Sequence, residues 1–157
     1  MNEKYIICNC NKSNTGKSTS LNYLINKIIS NRLSSKNIVI IKDEPLYDGA
    51  TGQDTDRFVF IEHTGVHVAI ITQGDYPDSA LNQYIEISIS AEFEADIIIC
   101  AANRRSQIEG NVKLEQFKKI YIENEIASDP NKISICSANF AEEIKVKVKE
   151  LYNIELF

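Results

Sequence analysis

The chain predicts an α/β fold. A mostly parallel sheet with one antiparallel hairpin is covered by helices on both faces, giving three layers. Three observations carry this. Short apolar runs alternate with longer segments whose apolar residues recur at helical spacing. The first run is almost continuously apolar, as a strand covered on both faces should be. Two later runs are separated only by a tight turn, which adds a hairpin to the parallel set.

Tyr5–Cys10 is the first predicted strand. A helix runs from Lys17 to about Leu33, with Leu21, Leu24, Ile25, Ile28 and Ile29 on one face. Ile38–Ile41 reads as a second buried strand. A long polar loop from Asp43 to about Asp56 follows, and loops of that length are often functional. Arg57–Glu62 and Val66–Thr72 form the hairpin, turning at His63, Thr64 and Gly65.

Ser79 to about Phe93 reads as a helix with Leu81, Tyr84, Ile85 and Ile89 inward. Ile97–Ala101 is a further buried strand. Val112 to Glu125 is predicted helical, with Phe117, Ile120 and Tyr121 inward. Ile133–Cys136 is predicted as the last central strand. Ala141 to about Tyr152 closes the chain as a helix, with Ile144, Val148 and Leu151 inward. The length of 157 residues suits one domain spanning 1–157.

Between the first strand and the first helix lie Asn11, Lys12, Ser13, Asn14, Thr15, Gly16, Lys17, Ser18 and Thr19. Strand, polar loop, Gly-Lys-Ser and helix are the context of a phosphate-binding P-loop. Loop amides and the helix N-terminus would favour an anion at one spot. Lys17 would reach the β- and γ-phosphates, and the Ser18 hydroxyl would sit on Mg²⁺. The first glycine of the standard motif is replaced by Asn11, a residue that tolerates left-handed backbone. The competing reading is an ordinary helix start, where Ser and Thr are common caps.

With Lys12 preceding Lys17, this loop resembles the deviant Walker A loop, x-K-G-G-x-x-K-[ST], of the partition, division-site and nitrogenase-iron-protein ATPases. Ser13 and Asn14 stand where that family has two glycines. The resemblance implies a three-layer P-loop NTPase fold, with ATP and Mg²⁺ as cofactors. It makes Lys17 the loop lysine and Lys12 the lysine that crosses a dimer interface to the partner's nucleotide. It also implies that Asp43, after the second strand, belongs near the metal and the attacking water. A solvated turn is the alternative for Asp43.

In such sheets ligands bind beyond the carboxyl ends of the strands. That rule nominates two more groups. Asp75, after the run Val68–Thr72, is either a Walker B aspartate holding Mg²⁺ opposite Ser18 or a helix-start carboxylate. Asn103 is either a reader of the base edge or a helix cap. Arg104 could stack on a base and Arg105 could touch phosphate, or both are surface arginines. His63 and His67 flank the turn and lack a third ligand at metal spacing.

Composition bounds the rest. Apolar content of 43% and charged content of 25% are ordinary for a globular domain. The net charge of −5 gives no sign of nucleic-acid or anionic-membrane binding. No apolar run reaches membrane-spanning length and no signal-peptide core is present, so a cytoplasmic protein without a membrane span is expected. The cysteines Cys8, Cys10, Cys100 and Cys136 are each expected in or at the end of a strand, reduced and buried, with Cys8 and Cys10 on opposite faces.

The functional expectation is Mg²⁺-dependent ATP binding and hydrolysis by a switch or partition-type ATPase that homodimerises on nucleotide and binds another protein or DNA. No Asn-Lys-x-Asp guanine signature is present, which favours adenine. A P-loop small-molecule kinase or ATP-dependent ligase is the alternative, and a non-catalytic scaffold is the third.

Overall fold

The computed structural model describes residues 3–10, 17–32, 37–46, 56–72, 78–122 and 130–157. In chain order the elements are β1 (Lys4–Cys10), α1 (Lys17–Arg32), β2 (Ile38–Leu46), β3 (Asp56–His63), β4 (Val66–Ile71), α2 (Asp78–Ile89), β5 (Ile97–Ala102), α3 (Ser106–Glu109), β6 (Phe117–Ile122) and α4 (Ile133–Tyr152). The strands form one six-stranded mixed sheet in the order β2-β3-β4-β5-β1-β6. β4, β5, β1 and β6 are parallel neighbours, and β3 runs against both β2 and β4.

Period-two alternation divides the core cleanly. Ile7, Val68, Ile70, Ile97 and Ile99 face α1 and α4, where Leu21, Leu24, Ile28, Ile144 and Val148 complete one apolar layer. Ile6, Cys8, Phe60, Ala69, Ile98 and Cys100 face the other way, against Leu81 and Ile85 of α2, Ile108 of α3 and Phe93. The expected layers and the hairpin are therefore present, and β2 adds a second antiparallel pairing, with β3, that the sequence did not predict. The hairpin turns at Thr64 and Gly65, both with positive φ, as a two-residue turn matched to strand twist requires.

Three of the predicted elements differ in the structure. Ile38–Ile41 is not a strand buried on both faces. It begins β2, the sheet edge, where Ile38 is buried but Val39 and Ile41 are 52% and 46% exposed. The helices cover only one face there. β2 also continues through Asp43 to Leu46, shortening the expected loop.

The segment from Val112 is a single 3-10 turn, Val112–Leu114, and then β6. The apolar positions that suggest a helical face also fit a strand. Phe117 lies in one layer, and Ile120 and Ile122 lie in the other. Pairing with β1, from Lys4 opposite Phe117 to Asn9 opposite Ile122, decides for the strand.

Ile133–Cys136 opens α4 instead of forming a central strand. Cys136 and Phe140, one turn apart, are buried while Ile135 is exposed, which is helical periodicity. Cys136 is thus helical, unlike the other three cysteines. Cys8 and Cys10 share one face with Cys100. Side chains two residues apart in a pleated strand must do so, which corrects the expectation of opposite faces. None of the four cysteines is in a disulfide, and all four are buried.

Candidate functional site at the carboxyl edge of the sheet

β1, β4, β5 and β6 end at one edge of the sheet, and β2 ends there too because two antiparallel steps restore its direction. After β1 the chain passes to the face covered by α1. After β5 it passes to the opposite face, covered by α3. β1 and β5 are neighbours, so the chain diverges between them at their carboxyl ends. A divergence point of this kind is where open α/β sheets take ligands.

Asn11, Lys12, Ser13, Asn14, Thr15, Gly16 and Asp75 lie outside the described residues. Lys17 is the first residue of α1, Ser18 is partly buried and Thr19 is exposed. Ser18 Oγ donates to the carbonyl oxygen of Thr72 at 3.1 Å. Thr72 follows β4, which β5 separates from β1. The helix that follows β1 thus meets the chain just before Asp75.

Thr72 is fully buried. Its Oγ1 accepts from the Arg57 backbone N–H at 2.7 Å, and its own N–H donates to Arg57 O at 3.0 Å. The Arg57 guanidinium donates to both carboxylate oxygens of Asp43, Nε to Oδ1 at 3.2 Å and Nη2 to Oδ2 at 2.6 Å. Nη1 also reaches Asn26 Oδ1 of α1 at 3.4 Å. A continuous chain of contacts therefore joins Ser18, Thr72, Arg57 and Asp43. Sequence reasoning missed Thr72 and Arg57. Their one signal was position: Arg57 opens the hairpin and Thr72 closes it, so register makes them neighbours.

Asn103 follows β5 at the divergence point. Its backbone N–H and that of Arg104 both donate to Gln107 Oε1, at 2.7 and 3.0 Å, which closes the turn into α3. Asn103 Oδ1 is enclosed and has no hydrogen-bond partner among the described residues. Arg104 is exposed. The Arg105 guanidinium lies 4.5 Å from the centroid of the Tyr121 ring, a cation–π contact. Burial, and then the charge of Glu109, push the Tyr121 hydroxyl up to about 12.

The histidines are not brought together. His63 pairs with Val66 and His67 with Glu62, which puts the two rings on opposite faces. His63 is buried, with Nε2 2.7 Å from the Glu155 carbonyl oxygen. His67 lies beside Glu62 and Asp96. Both stand at the opposite edge from the strand ends. Among the described residues no group of three or more His, Cys, Asp or Glu side chains could hold a metal. Nor is any helix there long and apolar enough to cross a membrane.

One hollow of about 400 Å³ lies between α2 and α3, lined by residues such as Asn82, Glu86 and Asn111. Another, of about 480 Å³, lies between β6 and α4. Neither includes a residue nominated from the sequence. Comparison with protein-family models, curated proteins and solved structures found no match.

Proposed function

We propose that this chain is a Mg²⁺-dependent ATP-binding protein with a three-layer P-loop NTPase fold and an atypical Walker A loop. The observation that carries this reading is the contact of Ser18 Oγ with Thr72 O at 3.1 Å. A hydroxyl that gives its proton to a carbonyl keeps its lone pairs for a cation. It also brings the start of α1 beside the chain that leads to Asp75, the other expected metal-side residue.

The nucleotide phosphates would lie against Asn11–Thr19, with Lys17 and the loop amides countering their charge. Bound Mg²⁺ would neutralise phosphate charge during transfer or hydrolysis. Among the described residues Asn103 Oδ1 is an acceptor without a donor, near the expected base site, while the preference for adenine rests on the missing guanine signature. A buried carbonyl left without a donor costs about 1–3 kcal/mol, and the exocyclic amine of a base would satisfy it. Asp43 already gives both carboxylate oxygens to Arg57. In this reading it anchors that arginine instead of accepting a proton from water. Lys12 would reach a partner's nucleotide in a homodimer formed on ATP binding.

Calorimetric titration of Mg·ATP against the wild type and Lys17→Ala tests this, with light scattering on the same samples. Binding lost in the variant is the expected result, and an accompanying rise in mass identifies a dimerising switch. Binding without association, together with substrate-dependent ATP consumption, identifies a kinase or ligase. Absence of binding in the wild type removes the nucleotide reading altogether.

A further inference from the structure

We propose that Thr72 is a positioning residue that aims the Ser18 hydroxyl at its cation, with the Arg57–Asp43 pair holding Thr72 in place. This rests on the nucleotide reading above and adds residues to it.

The geometry is specific. A free serine hydroxyl rotates among three staggered wells. The bond from Ser18 Oγ to Thr72 O selects one of them and commits the proton. The acceptor is itself fixed, because Thr72 is fully buried and tied to Arg57 by two bonds of 2.7 and 3.0 Å. One of those bonds uses the threonine side chain, so residue type matters as well as backbone. Arg57 is fixed in turn by its two-point grip on Asp43 and its contact with Asn26 of α1. Each link lies at the carboxyl edge, where the strand ends converge. Groups that orient a metal ligand without touching the metal typically alter metal affinity 10–100-fold when removed.

Thr72→Val is nearly isosteric and deletes only the hydroxyl that accepts from Arg57 N–H. Thr72→Ser restores the acceptor. The readout is ATP affinity by calorimetry, first in EDTA and then across a Mg²⁺ titration. Thr72→Val is expected to raise the Mg²⁺ concentration for half-maximal effect roughly tenfold, with affinity in EDTA unchanged. Thr72→Ser is expected to match the wild type. In a Ser18→Ala background Thr72→Val should add nothing, because its effect runs through that hydroxyl.

Arg57→Lys keeps the charge but loses the fork, and should shift the Mg²⁺ midpoint in the same direction by a smaller factor. It keeps the test alive if circular dichroism finds Thr72→Val unfolded. A wild-type Mg²⁺ midpoint in Thr72→Val, or in Arg57→Lys where that variant stands in, overturns the inference and leaves the nucleotide reading intact. An undiminished Thr72→Val effect in Ser18→Ala does the same. No ATP binding by the wild type, with or without Mg²⁺, overturns both.

Discussion

Arg57 grips Asp43 across two antiparallel strands, with one N–H donated to each carboxylate oxygen at 3.2 and 2.6 Å. The pair is diagonal in register, since Arg57 lies opposite Pro45 and Asp43 lies opposite Val59. Two-point geometry favours it. Partial exposure weakens it, because 23% of the arginine side chain and 33% of the aspartate remain accessible.

The balance predicts a modest stabilisation. Asp43→Asn and Arg57→Met should each lower the unfolding free energy by about 0.5–1 kcal/mol, and the double variant by little more than either. Urea unfolding at low and high salt checks this. Fully additive losses would mean that the pair is not energetically coupled. Added salt should shrink the single-variant effects.

Leu156, next to the last residue, belongs to the core. It is fully buried, as is most of Ile154, in the layer between the sheet and α1 and α4. The chain reaches that layer after α4 ends at Asn153, whose φ of 56° turns the backbone out of the helix. His63 then holds the tail through the Glu155 carbonyl. Leu156→Ala should therefore cost about 2–5 kcal/mol, the range for an interior leucine rather than a frayed terminus. A lower urea midpoint at unchanged slope is the expected signature. A loss below about 0.5 kcal/mol, the usual size for a surface site, would mean that the tail is not docked.

What was legible in the sequence follows from which signals are local. Leu21, Leu24 and Ile28 repeat at helical spacing, and α1 forms there. His63, Thr64 and Gly65 mark a turn, and the hairpin forms there. Val39 and Ile41 misled because an apolar run does not say whether a second layer will cover it, and sheet order decides that. Phe117 and Ile120 misled because both periods fit a short amphipathic segment, and pairing with β1 chose the strand. The loop was nominated by motif and lies mostly outside the described residues, whereas the partners of Ser18 and Asp43 come from distant segments. Thr72 is fifty-four residues from Ser18, and no spacing rule connects them.

Thr64 is a β-branched residue at φ 52°, where L-residues other than Asn and Asp are strained by about 1–2 kcal/mol. Its hydroxyl recovers part of this through contact with His63 Nδ1 at 2.9 Å. Thr64→Asn should give a net gain of roughly 0.5 kcal/mol, since Asn is preferred at the first position of this turn. Gly65→Ala should act the other way. Gly65 has φ 82° and no atom within 4 Å of an added Cβ, so its loss of about 1 kcal/mol would come from the backbone alone. Thermal unfolding of the two variants should therefore move in opposite directions. A shift of the same sign in both would mean that contacts of the turn, not its backbone angles, set its stability.

Alkaline pH should destabilise the fold through two tyrosines. Burial, then the Asp96 carboxylate, push the Tyr152 hydroxyl up to about 12 from its ordinary 10.0. Tyr121 is raised to about 12 from the same ordinary value, by burial and then Glu109. Tyr152 donates to the carbonyl oxygens of Glu3 and Asp96, so its proton is used in the folded state. A folded-state value above the unfolded one means that the native protein holds the proton more tightly. The resulting stabilisation is complete below pH 10 and disappears as pH rises from about 10 to about 12. Urea unfolding across that interval should show stability level at first and then falling, as unfolded tyrosines ionise ahead of folded ones. Tyr121→Phe and Tyr152→Phe should each flatten the decline, whatever they do to the value at neutral pH. A decline of unchanged steepness in the double variant would assign alkaline unfolding to other groups. A phenolate ultraviolet signal from both side chains below pH 10 in the native protein would show that neither is protected.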